Sequence, residues 1–155
     1  MNAEIVSVGT ELLLGQIVDT NAAYLSRALS EVGVAVYRRT TVGDNADRLR
    51  AVLEEALEKA DVVFTIGGLG PTMDDVTRDV LSEATGVPLV FDEAIAEHLT
   101  AHFRRRGHAI LESQLRQAYV PASGRALPNP NGTAPGLLFD IPPKMAIALP
   151  GPPGE

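Results

Sequence analysis

The chain has 155 residues, 45% of them hydrophobic, which predicts one globular domain with a sizeable core. Its 13 basic and 20 acidic residues give a net charge of −7, so nucleic acid is not an expected partner. It has no cysteine, no secretory signal and no apolar run near the roughly 18 residues of a membrane span, which predicts a cytoplasmic protein without disulfides or a membrane partner.

Strands and helices are predicted to alternate along the first 86 residues. The strands are short apolar runs, at 4–9, 34–43 and 61–68. The helices carry apolar residues three and four positions apart, at 20–33, 45–60 and 74–86.

The second half of the chain continues the alternation after a pause. Helices are predicted at 92–107 and 112–119, a loop rich in proline and glycine at 121–135, and strands at 136–140 and 145–151. This order predicts an α/β fold with a mostly parallel sheet covered on both faces. The chain stops directly after a strand, so we expect residues 1–155 to be one domain in the amino-terminal part of a longer protein.

Four predicted strands are followed by glycine-containing turns of similar build. The turns are VGTE (8–11), VGDN (42–45), IGGLGPT (66–72) and LPGPPGE (149–155). Glycine lets the backbone turn sharply or approach a ligand closely. Open parallel sheets bind their ligands just beyond the carboxyl ends of the strands, so a ligand site is predicted along this edge.

The turn GGLGPTMDD (67–75) is predicted to bind a phosphate or pyrophosphate. It is not a P-loop, because no Gly-Lys-Ser/Thr follows, and it lacks the third glycine of a dinucleotide fingerprint. What remains is a run of bare amides that leads into the predicted helix at 74–86. Asp74 is interpreted as an acid that stabilises the amino terminus of this helix.

Asp75 is predicted to do more than stabilise a helix. An acid beside a phosphate-binding turn repels the ligand unless a divalent cation lies between them. Asp75 is therefore predicted to hold such an ion, and Asp44 in the neighbouring turn is the second candidate ligand. Mg²⁺ is the expected ion, and Mn²⁺ or Co²⁺ suit the same ligands. No zinc site is predicted at His98 and His102, because Leu99 stands where an H-E-x-x-H helix has glutamate.

Five segments together resemble the amino-terminal domain of the CinA family, the competence/damage-inducible proteins. They are GTELLLGQIVDTN (9–21), TVGDN (41–45), TIGGLGPTMDDVTRD (65–79), NPNGTAPG (129–136) and LPGPPGE (149–155). This domain is similar in turn to the molybdopterin-binding domains of MogA and MoaB. The resemblance covers essentially the whole chain and implies a three-layer α/β/α sandwich of the MogA type.

The resemblance also implies an activity, the metal-dependent hydrolysis of ADP-ribose to AMP and ribose 5-phosphate. Asp75 and Asp44 fall on the two acidic positions of the site and would hold the ion, and Glu11 is a candidate general base or outer-shell ligand. The remaining candidates would bind the substrate, its phosphates or its ribose and base: Gly67, Gly68, Gly70, Thr72, Thr10, Asn21, Asn131 and Gly151.

One departure from the related domains bears on the ligand. The superfamily usually has Gly-Gly-Thr-Gly in the phosphate loop, whereas this chain has Leu69 at the third position, the CinA-type variant, which favours a nucleotide over a pterin. Two alternatives stay open: molybdopterin binding or adenylyl transfer, and a nucleotide-binding module without turnover. The resemblance further implies a homo-oligomer. It also implies a carboxy-terminal domain resembling nicotinamide-nucleotide deamidases, and no part of that domain lies within residues 1–155.

Overall fold

The computed structural model describes residues 1–155. Its helices are α1 (Thr10–Leu13), α2 (Thr20–Glu31), α3 (Ala46–Lys59), α4 (Thr77–Thr85), α5 (Glu93–Arg105) and α6 (Glu112–Leu115), and a 3₁₀ turn follows at Arg116–Ala118. Its strands are β1 (Asn2–Val8), β2 (Ala35–Val42), β3 (Val62–Ile66), β4 (Leu89–Phe91), β5 (Tyr119–Pro121), β6 (Gly124–Leu127), β7 (Gly136–Ile141) and β8 (Lys144–Leu149). None of the helices combines the length and the apolar character that crossing a membrane requires.

The central sheet has six strands in the order β2-β1-β3-β8-β7-β6. Strands β2, β1, β3 and β8 are parallel, and the hairpin of β7 with β8 and the pairing of β6 with β7 are antiparallel. The short strands β4 and β5 form a separate antiparallel pair. The predicted α/β fold with a mostly parallel sheet is therefore confirmed.

Helices cover both faces of this sheet because its central strands are apolar on both sides. Ile5 of β1 packs with Ala22 and Leu29 of α2 on one face. Its neighbour Val6 packs on the other face, in a larger cluster that includes α3 and α4. Successive side chains of a strand point to opposite faces, so a strand buried on both sides becomes a continuous apolar run.

Three predicted elements differ from the observed ones. The helix expected at 74–86 begins only at Thr77, because the backbone of 72–75 folds into a turn of its own. The helix expected at 112–119 is a single α-turn followed by a 3₁₀ turn. The loop expected at 121–135 contains β6, which pairs along β7. The last of these differences depends on pairing with a more distant part of the chain, which local periodicity does not encode.

A surface ion network on β2 and α3 leads to a pH prediction. Hydrogen bonds from Lys59 and then Arg38 lower the pKa of Glu55 from 4.5 to about 2. The stabilisation from ionised Glu55 is therefore complete above its unfolded pKa and is lost as the pH falls toward 2. We expect Glu55→Gln to flatten the fall of the urea midpoint between pH 4.5 and 2, whereas Glu54→Gln, at an exposed neighbouring position, does not. Parallel curves for wild type and Glu55→Gln would contradict the assignment.

Candidate functional site

The four glycine turns of the sequence lie side by side at one edge of the sheet. The strands that precede them end level with one another: Val8 pairs with Val42, Ser7 with Ile66, and Ile66 with Leu149. The chain moves from β1 to β2 on one side and returns to β3 on the other, so β1 is the point at which the strand order reverses. Ligands of open α/β sheets bind at such a point.

A cavity of about 540 Å³ opens at this edge and is lined by all four turns. This volume lies within the range of roughly 300–1,000 Å³ that is usual for small-molecule sites. Its lining includes five carboxylates and no lysine, arginine or histidine; the acids are Glu11, Asp44, Asp74, Asp75 and Glu155. An anion that enters this cavity therefore meets negative charge on its side chains and finds donors mainly on the backbone.

The phosphate-type turn is shaped by two consecutive glycines with positive φ. Gly67 has φ 100° and Gly68 has φ 70°, a region that side chains larger than hydrogen rarely adopt. The buried Thr77, the first residue of α4, holds this conformation because its Oγ1 donates to the Gly67 carbonyl (2.8 Å) and its amide donates to the Gly68 carbonyl (3.1 Å). The start of the helix and the shape of the turn are thus fixed by the same residue.

Fewer backbone amides are free for a ligand than the sequence suggested. The Gly67 amide donates to the Leu149 carbonyl, and the Thr72 amide donates to Asp75. Pro71 has no amide hydrogen. Within residues 67–72, the amides of Gly68, Leu69 and Gly70 have no hydrogen-bond partner in the protein. They form a short run of donors of the kind that binds anions.

Asp75 is held in place by Thr72, which was predicted to contact the substrate. The amide and the hydroxyl of Thr72 both donate to Asp75 Oδ2, at 2.8 and 2.6 Å, and the Asp75 amide returns a bond to the Thr72 carbonyl. This reciprocal arrangement positions the carboxylate against Gly70, where a Cβ would come within 2.6 Å of Oδ2. Thr72 does not line the cavity, and its observed side-chain contact is with the acid.

Asp44 is held in the same manner by Thr10. The Thr10 amide donates to Asp44 Oδ2 (3.0 Å), and the Asp44 amide donates to Thr10 Oγ1 (3.2 Å). Asp44 lines the cavity and Thr10 does not, and the observed contacts of Thr10 are with this acid. Glu11 lies over Gly9, whose missing side chain leaves room for the carboxylate.

The two asparagines proposed as ribose or base contacts do not line the cavity. Asn21 donates through Nδ2 to the Gly151 carbonyl (2.7 Å) and thereby fixes the turn after β8. Asn131 lies in a turn in which its amide donates to the side chain of Asn129 (3.1 Å). Gly151 itself lines the cavity and lies against Gly67.

Several residues that line the cavity were not predicted from the sequence. Asp74, interpreted as a helix-capping acid, lies before a helix that starts three residues later, and it faces the cavity instead. Gln117 comes from a segment without a recognisable motif. Thr133 and Glu155 lie within NPNGTAPG (129–136) and LPGPPGE (149–155), but neither residue was among the predicted site residues.

Arg78 is a buried positive charge close behind the glycine turn, and it was not predicted from the sequence. It is 1% exposed, and its Nη2 donates to the Leu69 carbonyl (2.9 Å) while Nε and Nη1 have no partner. Burial lowers the pKa of Arg78, and Asp79 and Asp75 act in the opposite direction. An arginine stays protonated at neutral pH even so, and it therefore offsets part of the acidic charge in front of the turn.

The donor chemistry fits a divalent cation that is shared with its ligand. No group of three or more histidine, aspartate or glutamate side chains is arranged to hold a metal ion alone. Mg²⁺ is commonly bound by one or two carboxylates together with phosphate oxygens and water. Asp44 and Asp75 line the same cavity, on the turns that follow β2 and β3, so the cavity offers two carboxylates of this kind.

Comparison with known proteins relates the whole chain to one family. Residues 4–155 match the family model described as "Probable molybdopterin binding domain". A protein of the competence-damage inducible group from Symbiobacterium thermophilum is 55% identical over 156 residues, covering 100% of this chain. The chain spans only 37% of the length of that relative.

Two solved structures have the same fold. CinA from Thermoplasma acidophilum, a protein of unknown function, superposes with a TM-score of 0.90 at 37% identity, covering 99% of this chain and 90% of its own. The tungsten cofactor synthesizing protein MoaB from Pyrococcus furiosus superposes with a TM-score of 0.59 at 19% identity, covering 97% of this chain and 82% of its own. The second likeness concerns the fold alone.

Proposed function

Because this chain belongs to the CinA group within the family of probable molybdopterin-binding domains, we propose that its cavity binds a nucleotide pyrophosphate through a shared divalent cation and hydrolyses it. ADP-ribose is the proposed substrate, and AMP and ribose 5-phosphate are the proposed products. The observation that carries this proposal is the charge of the cavity, which presents five carboxylates and no basic side chain to an anionic ligand.

A cation resolves the conflict between the acids and the phosphates. Two unit charges about 4 Å apart repel by roughly 4 kcal/mol at an effective dielectric constant of about 20. Several carboxylates facing a doubly charged pyrophosphate would therefore exclude it. A divalent ion held by Asp44 and Asp75 would neutralise these two carboxylates and attract the phosphate oxygens directly, and it would supply a coordinated water of lowered pKa.

Residues of the chain itself bind the phosphates, position the two carboxylates and accept the proton. The amides of Gly68, Leu69 and Gly70 hydrogen-bond the phosphate oxygens, and the buried Arg78 adds positive potential from behind. Thr10 and Thr72 keep the two carboxylates at fixed positions. Glu11 is the candidate to accept a proton from the attacking water, because it is a carboxylate that lines the cavity and is not assigned to the ion.

The reaction consumes one water molecule and needs no other reactant. The water oxygen bonds to one phosphorus while the bond from that phosphorus to the bridging oxygen breaks. The bridging oxygen leaves with the second phosphate, and two protons are released at neutral pH. One carboxylate accepts the first proton and passes it to solvent.

A turnover assay tests this proposal. The purified chain is incubated with ADP-ribose and Mg²⁺, Mn²⁺ or Co²⁺ in turn, or with EDTA, and AMP is followed by chromatography. We expect AMP with at least one ion and none in EDTA. Asp44→Asn keeps an acceptor for the Thr10 amide but loses the charge, so its rate should fall at least about 10-fold.

Asp47→Asn is the matched control, because Asp47 lies on the exposed first turn of α3 and does not line the cavity. Its rate should equal that of wild type. AMP release at equal rates with and without a divalent ion would contradict the cation. ADP-ribose binding with no AMP at any ion would reduce the proposal to a nucleotide-binding module.

Molybdopterin is the second candidate ligand, and the family assignment favours it. Its phosphate would use the same turn and the same acids. Leu69 is 1% exposed and its side chain packs in the core, so this side chain does not select between the two ligands by contact. A competition experiment separates the two candidates: on our proposal ADP-ribose displaces a bound nucleotide at lower concentration than molybdopterin, and the reverse order identifies a pterin site.

A further inference from the structure

Gln117 is a buried amide that faces the cavity without a complete set of hydrogen bonds. It lies in the 3₁₀ turn before β5, is 2% exposed and lines the cavity. Its Oε1 is buried and has no partner in the protein. Buried polar atoms are nearly always paired, because an unpaired one destabilises the fold, so this atom requires an explanation.

The backbone around Gln117 is fixed on both sides. Arg116 donates to the Thr72 carbonyl (3.0 Å) and to the Asp79 carboxylate (2.8 Å), which ties the turn to the segment that carries Asp75. On the other side the Ala118 carbonyl accepts from the Asp92 amide (2.9 Å). The backbone on both sides of Gln117 is therefore fixed by the fold.

Gln117 also differs chemically from the other polar side chains of the cavity. Ionised carboxylates only accept hydrogen bonds, whereas an amide both donates and accepts. Among the side chains that line the cavity, only Gln117 and Thr133 carry a hydrogen-bond donor. A neutral group of the ligand that needs both kinds of bond finds its match at Gln117.

We propose that Gln117 determines ligand specificity by binding a sugar hydroxyl next to the cation-bridged phosphates, an inference that rests on the proposed function for the identity of the sugar. The unpaired Oε1 needs a donor, and ionised phosphate oxygens have none. A hydroxyl donates to Oε1 and, after rotation of the amide, accepts from Nε2. The class of ligand that satisfies this residue is a sugar phosphate or nucleotide sugar and not a bare phosphate.

The first test needs no ligand. Met is close to Gln in shape but has no polar amide, so Gln117→Met should raise the Tm of the free chain by about 2–8 °C. A residue kept for binding lowers stability in this way, whereas a residue with a structural role would lower the Tm when replaced. The matched control is Gln16→Met at an exposed position outside the cavity, which should leave the Tm unchanged. A lower Tm for Gln117→Met would overturn the proposal.

The second test compares two ligands by calorimetry in the same divalent ion. Gln117→Met should bind ADP-ribose about 10–100-fold more weakly than wild type does, because a buried polar partner is lost. Its affinity for pyrophosphate, which has no hydroxyl group, should stay within about twofold. Equal losses for both ligands, or no loss for either, would overturn the specificity role.

These binding ratios are independent of turnover. If wild type binds ADP-ribose but releases no AMP, the hydrolase proposal fails while the ratio between the two ligands still decides the role of Gln117. If wild type binds pyrophosphate but not ADP-ribose, both proposals fail.

Discussion

Replacing Asp75 by asparagine is expected to reduce cation-dependent AMP release at least about 100-fold while leaving the fold intact. The amide oxygen of asparagine still accepts the bonds from the Thr72 amide and hydroxyl, so the turn at 72–75 keeps its internal contacts. What disappears is the negative charge that would hold the ion between protein and phosphate. The rate is measured with saturating ADP-ribose, and the ion is titrated from micromolar to millimolar concentration.

The stability of Asp75→Asn separates charge loss from damage to the turn. Its free energy of unfolding should stay within about 1 kcal/mol of wild type, because the substitution is isosteric and Asp75 is only half-buried. Asp47→Asn again serves as the control for an acid outside the cavity. Equal AMP release by Asp75→Asn and wild type would remove Asp75 from the catalytic assignment.

Replacing Gly68 by alanine is expected to destroy the site and to destabilise the domain by about 2–5 kcal/mol. A Cβ on Gly68 would lie 2.1 Å from Thr77 Oγ1 and 3.1 Å from Thr77 Cβ. Thr77 is fully buried and pinned to the Gly67 carbonyl, so it has no room to move aside. Either the turn or the first turn of α4 must shift, and the three available amides shift with it.

Gly86→Ala is the matched control for this substitution. Gly86 has the same φ of 70° as Gly68, but a Cβ there meets nothing within 4 Å. Its cost should therefore be the backbone strain alone, about 1–2 kcal/mol, without loss of ligand binding. Chemical denaturation of both variants gives the difference. If the two substitutions cost the same, the clash with Thr77 is not what shapes the turn.

The central strands of the fold were predictable because their hydrophobic pattern can be read from short stretches of sequence. The runs EIVSVG and DVVFTIGG are apolar without alternation, as strands buried on both faces must be, and they became β1 and β3. The first residue of α4 was not predictable, because Thr77 begins the helix through bonds to Gly67 and Gly68. Strands as short as β4 and β5 exist only through their pairing with each other.

Some features of the candidate site could likewise be predicted from the sequence, and others could not. Asp44 and Asp75 were predictable because each follows a glycine turn at a strand end, and parallel strands bring such ends together. Thr10 and Thr72 were placed beside the ligand, yet both contact an acid: the Thr10 amide donates to the Asp44 carboxylate, and the Thr72 amide and hydroxyl donate to the Asp75 carboxylate. Gln117 was missed because a lone glutamine in a 3₁₀ turn follows no periodic or spaced pattern.

The most direct test of the account is the affinity of ADP-ribose measured by calorimetry in Mg²⁺ and in EDTA. A cavity with five acids and no basic side chain should admit the doubly charged ligand only together with a divalent ion. We therefore expect measurable binding in Mg²⁺ and none at the same concentrations in EDTA. Equal affinity under both conditions would show that the acids do not act through a cation.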